Sequence, residues 1–140
     1  MLQTLKMIEQ DLQKAGLKCT CTELGKISYV EMGFKLKSTI LRLRFISTKE
    51  SKDIKVMTDD LAIFPEPRRA ETLKLLNDMN AKYKFFKFTM DAQGAVCAQY
   101  DIPLAITEGD SIGPVAVELA LRCASIVDDV YPIIMHSLWR

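Results

Sequence analysis

The sequence predicts an α+β fold with the element order αβββαββα, in which helices cover a five-stranded, largely antiparallel sheet. Three observations support this fold class. Five stretches alternate apolar and polar residues, two of them flank a four-residue turn, and stretches with helical apolar spacing lie before, between and after them. The loops between neighbouring strands are short and polar, which suits antiparallel connections. We expect the 140 residues to form one domain.

The first half of the chain is predicted to contain one helix and three strands. Apolar residues recur at helical spacing over residues 2–15, which indicates a helix with one buried stripe. Residues 17–25 are predicted to be a short extended segment and a turn, and the sheet is expected to begin near Ile27. Further strands are predicted at about 38–47 and 53–60, where alternation indicates one apolar face.

A second helix is predicted over residues 67–83, because proline at position 67 is well tolerated in a first helical turn. Residues placed 100° apart put Asn77 and Asn80 among its inward-facing side chains. A buried amide without a partner costs about 1–3 kcal/mol. The two asparagines could line a polar pocket or tie the helix end to the following strand. Their position beside the turn into that strand favours the structural tie.

A β-hairpin is the firmest local prediction. Residues 85–90 and 95–102 both alternate, and Asp91-Ala92-Gln93-Gly94 separates them. Asp91 can close the turn through its side chain, and Gly94 supplies the positive φ that such turns need. A four-residue loop fits this spacing.

A third helix is expected to begin near Ser111 or Gly113 and to carry the widest apolar face in the chain. Pro132 should kink or end it. The following tail is expected either to continue as helix or to fray, with Trp139 partly exposed.

The apolar pattern of the third helix also predicts a homodimer. A second apolar stripe at i, i+4, i+7 spacing falls outside its core-facing arc and consists of Val117, Leu121 and Ala124. Two-fold pairing would bury this stripe, and two-fold dimers are the commonest assembly. The alternative surface is the open face of the sheet, with apolar residues Tyr29, Ile40 and Ile46.

Composition argues against several classes of partner. The net charge is +1, so no strong attraction to nucleic acid or to an anionic membrane is expected. No apolar run is long enough to cross a bilayer, and the first residues do not resemble a signal peptide. We therefore expect a cytoplasmic protein with no nucleic-acid or membrane partner.

Four cysteines, Cys19, Cys21, Cys97 and Cys123, are expected to be reduced and buried. Cys19 and Cys21 invite a metal interpretation, but zinc usually takes pairs separated by two or more residues and needs four ligands. Metal-free thiols are therefore predicted, and no cofactor is expected.

Arg42 and Arg44 alternate along one predicted strand and allow two interpretations. They could form an anion site on the open face, or they could pair with Glu31 or Asp59 on neighbouring strands. Their alternation favours the ion pairs.

No catalytic residues are predicted. The sequence lacks nucleotide-binding glycine loops, the nucleophile-elbow motif and paired metal-binding histidines. One histidine and scattered serines do not form a set of nucleophile, base and orienting group.

A family resemblance centres on the predicted hairpin. The residues that carry it are Leu76, Asn77, Asn80, Lys87, Phe88, Asp91, Gly94, Val96, Asp101 and Leu104. Their order resembles the YbjN-like family of bacterial sensory transduction regulators, which is similar to the type III secretion chaperone-like fold. The resemblance implies a small cytosolic binding or regulatory module that commonly pairs, and it transfers no catalytic residue.

Three functions follow from these observations. The first is a non-enzymatic protein-binding regulatory or chaperone-like module. The second is a type III secretion chaperone that holds one client segment, although such chaperones are usually acidic and this chain has a pI of about 7.6. The third, least favoured, is a small enzyme of unrecognised type.

Overall fold

Three α-helices and seven strands make up the fold in the computed structural model, which describes residues 2–48, 52–104 and 109–140. Short 3-10 turns at Glu66–Arg68 and Gly109–Ser111 precede the second and third helices. In chain order the elements are α1 (Leu2–Lys14), β1 (Cys19–Leu24), β2 (Ile27–Lys35), β3 (Ile40–Thr48), β4 (Asp53–Thr58), β5 (Ala62–Ile63), α2 (Arg69–Lys82), β6 (Lys87–Met90), β7 (Ala95–Pro103) and α3 (Ile112–Trp139). The predicted α+β class is confirmed.

All strand pairs in the described residues are antiparallel. The strands β1 to β4 form a meander of neighbours, because each is joined to the next by a short connection. Strand β7 then extends the sheet beyond β4. The predicted antiparallel pairing is confirmed.

Strand β7 has partners on both of its edges. Gln99 pairs with Met57 of β4 and with Lys87 of β6, so these two strands lie on opposite sides of β7. Val96 pairs with Ala62 of β5 as well as with β6, which places β5 on the same side as β4. The last rung with β6 is at Gln99, while β7 continues to Pro103.

The core lies between one face of the sheet and the helices. Alternate residues of β2, β3 and β4 point into it, and Leu5, Ile8 and Leu12 of α1 are fully buried at helical spacing. Strand β3 shows the clearest alternation, with buried Leu43 and Phe45 between residues of the opposite face. This confirms the predicted apolar face of the sheet.

The number of strands was predicted wrongly, as seven strands are described rather than five. The additional strands are β1 and β5. Strand β1 lies at the outer edge of the sheet, so its burial does not alternate clearly and its residues resemble an extended loop. Strand β5 has two residues and is too short to show a period.

Helix α3 continues to Trp139 and does not end at Pro132. Proline inside a helix removes one backbone hydrogen bond, but Ile134 beyond it is fully buried and helps to hold the last turns on the core. Of the two predicted alternatives for the tail, continuation as helix is therefore confirmed. Trp139 is 81% exposed. Within the described residues, no helix combines the length and hydropathy that a membrane span requires.

Candidate functional site

A groove lies between the second half of β7 and the first turns of α3. Its volume is about 500 Å³, and most of the side chains around it are apolar. The residues that line it are Phe85, Tyr100, Ile102, Pro103, Pro114, Val115, Glu118, Leu119 and Arg122. Tyr100 and Ile102 lie on the part of β7 that extends past its last pair with β6. We call this site the apolar groove.

One wall of the apolar groove is a stack of three side chains. The rings of Phe85 and Tyr100 meet edge to face, with centroids 5.7 Å apart. On the other side, Cζ of Arg122 lies 5.0 Å from the Phe85 centroid. The Arg122 Nε atom donates to Oε1 of Glu118 at 2.7 Å, which orients the guanidinium group. The wall is therefore held together by contacts among the protein's own side chains.

The backbone at Phe85 is strained. Its φ is +70°, a value that is uncommon for a bulky residue. The Phe86 N–H donates to the Lys84 carbonyl at 2.9 Å, which is the hydrogen bond of a γ-turn. This turn sends Phe86 into the core and leaves Phe85 at the groove, 42% exposed. Strain of this kind concentrates at ligand-binding sites, so it marks the groove as the candidate functional site.

Substitutions at Phe85 test the strain directly. We expect Phe85→Gly to be more stable than Phe85→Ala by about 1 kcal/mol, because alanine keeps the Cβ atom that disfavours a positive φ. Both variants lose the ring contacts, so their difference isolates the backbone term. Urea unfolding of the two proteins measures it. At an ordinary extended position alanine would be the more stable, and that order would contradict the strain.

A second, more polar cleft adjoins the apolar groove across Arg122. Its volume is about 370 Å³, and its lining residues are Lys82, Tyr83, Lys84, Arg122, Ser125, Ile126 and Asp129. Arg122 lines both sites, so a ligand that covers its side chain can contact both. The Lys82 Nζ atom lies 5.3 Å from the centroid of the Tyr83 ring. We call this site the basic cleft.

Comparison with protein families matches residues 4–132 to YbjN, described as "Putative bacterial sensory transduction regulator". The chain belongs to the YbjN family. The resemblance seen in the sequence is thereby confirmed. Comparison with curated proteins gives no match.

Among solved structures, the YbjN-family chain is similar to the Yersinia pestis type III secretion chaperone SycH, crystallised in complex with a stable fragment of YscM2. The similarity covers 88% of this chain and 98% of that chain, with 14% sequence identity and a TM-score of 0.48.

Asn80 of this YbjN-family chain joins the end of α2 to β6. Its Nδ2 atom donates to the Phe88 carbonyl at 3.0 Å, and its Oδ1 atom accepts from the Phe88 N–H at 2.6 Å. Asn77 is exposed, so its predicted place among the inward residues was wrong. The buried residues of α2 are Thr72, Leu76 and Met79. The buried face is therefore rotated from the predicted one, because the core lies to one side of the predicted arc.

We expect Asn80→Ala to lower the free energy of unfolding by about 1–2 kcal/mol, because both backbone groups of Phe88 lose their partner. Asn77→Ala is the matched control, and its exposed position predicts a change within about 0.5 kcal/mol. Urea unfolding measures both. If Asn80→Ala unfolded at the wild-type midpoint yet lost binding to a partner, the polar-pocket interpretation would be correct instead.

The hairpin turn lies at the predicted residues, and Asp91 and Gly94 are at its two ends. The Asp91 Oδ1 atom accepts from the N–H groups of Gln93 and Ala95, at 2.9 and 3.0 Å. Gly94 has φ +85°. Its carbonyl accepts from the Phe64 N–H at 2.9 Å, which connects the turn to the end of β5.

Arg69, which was not predicted from the sequence, connects three parts of the chain. Its guanidinium group donates to the carbonyls of Phe64, Ala92 and Gln93, at 3.1, 3.1 and 2.8 Å. The first follows β5, and the other two belong to the turn between β6 and β7. All three acceptors are backbone atoms, so no residue pattern pointed to this contact.

The predicted apolar stripe on α3 is not a separate surface. Leu121 is 48% exposed, whereas Val117 and Ala124 are half-buried and pack against the core. Placing Val117 and Ala124 away from the core was therefore wrong. Helix α1 packs along α3, and this contact widens the buried face beyond the arc that meets the sheet.

Arg42 and Arg44 pair with acids, as predicted. The Arg44 guanidinium contacts Glu31 at 3.0 Å and Asp59 at 3.2 Å, and Arg42 lies 3.5 Å from Glu31. The hydrogen bond to Glu31 is the main reason that the pKa of Arg44 rises above its usual value. These contacts confirm the ion pairs that were preferred to an anion site.

The four cysteines are free thiols in two settings. Cys97 and Cys123 are buried, whereas Cys19 and Cys21 are half-buried on the edge strand, contrary to the prediction. Burial raises the pKa of Cys123 to about 12 and also raises that of Cys97. Neutral thiols are poor nucleophiles and poor metal ligands. Among the described residues, no group of three or more His, Cys, Asp or Glu side chains is placed to hold a metal ion.

Proposed function

We propose that this YbjN-family chain is a non-enzymatic protein-binding module that holds a segment of a partner protein in the apolar groove. The observation that carries the proposal is the stack of Tyr100, Phe85 and Arg122, which stands at the groove with a strained backbone. Preformed sites lined by aromatic and aliphatic side chains, with few polar groups, are typical of ligand recognition. A groove of about 500 Å³ accommodates one or two large apolar side chains of a peptide.

The polar groups of the groove favour binding over catalysis. Glu118 and Arg122 bond to each other, and both are partly exposed, so neither resembles an activated acid or base.

Selection from a library of random peptides tests this function. We expect short peptides with at least one large apolar residue to be selected on the wild-type protein. Val115→Glu places a charge on the groove wall and should abolish their binding, whereas Leu73→Glu, at an exposed position on α2, should not. Unfolding midpoints of both variants verify that they fold. Equal binding by Val115→Glu would place the site elsewhere.

We also propose a homodimer that pairs through α3, with the exposed Leu121 at the centre of the interface and the half-buried Val117 and Ala124 beside it. The support is the half-exposed leucine on the most apolar helix, since burying such a side chain between two copies is favourable. Light scattering should give about 32 kDa, twice the 15.9 kDa of the chain. Leu121→Glu should give the monomer, and Ile40→Glu on the open sheet face is the matched control. A dimer that survives Leu121→Glu but not Ile40→Glu would place the interface on the sheet.

The cytoplasm is the proposed compartment. Four free thiols support it, because reduced cysteines are usual in the cytosol and rare in secreted proteins. Fractionation of cells that produce the tagged protein tests this location, and recovery outside the cytosolic fraction would contradict it.

A further inference from the structure

Positive side chains outnumber acidic ones in the lining of the basic cleft. Lys82 and Lys84 line the basic cleft, and neither makes an ion pair with a carboxylate in the described part of the chain. Asp129 is the acidic residue of the cleft lining. By contrast, the arginines of the open sheet face, Arg42 and Arg44, already contact acids.

The end of helix α2 does not neutralise these two lysines. The partial negative charge at a helix C-terminus attracts cations. Here that position is taken by Lys87, whose Nζ atom donates to the carbonyls of Asn80 and Tyr83 at 2.8 and 2.9 Å. The basic cleft therefore keeps an excess of positive charge, with Lys82, Lys84 and Arg122 against Asp129 in its lining.

Arg122 connects the basic cleft to the apolar groove. Its ion pair with Glu118 is exposed and spans one helical turn, and exposed pairs of this kind contribute little stability. A carboxylate from a partner can replace Glu118 at the guanidinium group at low cost. The Arg122 side chain would then contact an apolar anchor on one side and an acidic residue on the other.

We propose that the partner segment carries one large apolar residue, followed or preceded closely by acidic residues. The apolar residue is the anchor and binds in the apolar groove, and the carboxylates bind at Lys82, Lys84 and Arg122. This inference rests on the proposed function. It adds the chemical class of the segment, an acidic and apolar peptide, because the surface beside the groove is complementary to negative charge.

Peptide selection on charge variants tests the inference. The peptides selected on the wild-type protein should be enriched in Asp and Glu near the apolar residue. Changing those acids to Asn and Gln should weaken binding about tenfold at low salt, which is the effect of two or three exposed ion pairs, and less at high salt. The double variant Lys82→Glu, Lys84→Glu should instead select basic peptides with the same apolar anchor. Lys6→Glu, Lys74→Glu has the same net charge and is the matched control.

Each outcome gives a distinct answer. Selected peptides that keep the anchor but show no charge preference would overturn the acidic partner and leave the groove proposal intact. A charge preference that follows the control variant as strongly as the cleft variant would also overturn it, since only net charge would then matter. If no peptide were selected, both proposals would fail. Binding of single-stranded DNA or of anionic lipid vesicles at the cleft, without a peptide preference, would assign it to a different partner.

Discussion

A Gly94→Ala variant is expected to lower the free energy of unfolding by about 2–5 kcal/mol, one of the two largest losses that we expect. A Cβ atom at this position would lie 2.2 Å from the Phe64 carbonyl oxygen and 2.6 Å from Nε of Arg69. The nearest atom belongs to the backbone and cannot move aside without breaking the connection between β5 and the hairpin. The positive φ of Gly94 adds strain for any other residue. Urea unfolding measures the loss.

The matched control is Gly25→Ala in the turn between β1 and β2. Gly25 also has a positive φ, of +58°, but a Cβ atom there would meet nothing within 4 Å. Gly25→Ala should lower the free energy of unfolding only by the conformational cost of a positive φ, about 1 kcal/mol. Equal losses at both positions would show that the close approach to Phe64 contributes nothing.

An Arg69→Met variant is expected to lower the free energy of unfolding by about 2–3 kcal/mol. It loses three hydrogen bonds from a charged donor and leaves the part-buried Phe64 carbonyl without this partner. Methionine keeps the unbranched apolar part of the side chain, so the loss reports mainly the hydrogen bonds of the guanidinium group. Thermal and urea unfolding both measure it.

Two further variants define what Arg69 does. Arg69→Lys keeps the charge, but its three donors share one nitrogen, whereas the guanidinium group reaches the three carbonyls from three different nitrogens. It should therefore recover only part of the stability. Lys74→Met removes a charge from an exposed position of the same helix and should change stability by less than about 0.5 kcal/mol. Full recovery by lysine would mean that charge alone, and not the geometry of the guanidinium group, holds the turn.

The parts of the fold that could be predicted from the sequence depend on local signals. The residues of β3 alternate between buried and outward-facing, because one face of the strand packs on the core and the other carries the arginines of the ion pairs. Helix α1 buries Leu5, Ile8 and Leu12 at helical spacing. The hairpin could be predicted because its turn residues lie between two alternating stretches. In each case the residues whose pattern determines the element lie within about ten positions of one another in the sequence.

The features that the sequence did not predict depend on contacts between distant residues. Arg69 bonds to carbonyls that carry no side-chain signal. The predicted alternation of exposed Phe85 and buried Phe86 holds, but the γ-turn at Phe85 delays the start of β6 to Lys87. The buried face of α2 was misplaced because Asn77 fits the inward side of the helical wheel, while the actual orientation is set by β6 and the core. The apolar groove combines residues from three parts of the chain, so only the folded structure brings them together.

The position of β7 in the sheet has a consequence for how fast the protein folds. The hairpins β1–β2, β2–β3, β3–β4 and β6–β7 each join residues that are close in sequence, so they can form early. The rungs between β4 and β7, such as Ile54 with Ile102, require a long stretch of chain to close. Contacts of this kind slow folding. We therefore expect the docking of the β6–β7 hairpin onto β4 to limit the folding rate, and substitutions at Ile102 to slow folding more than they speed unfolding.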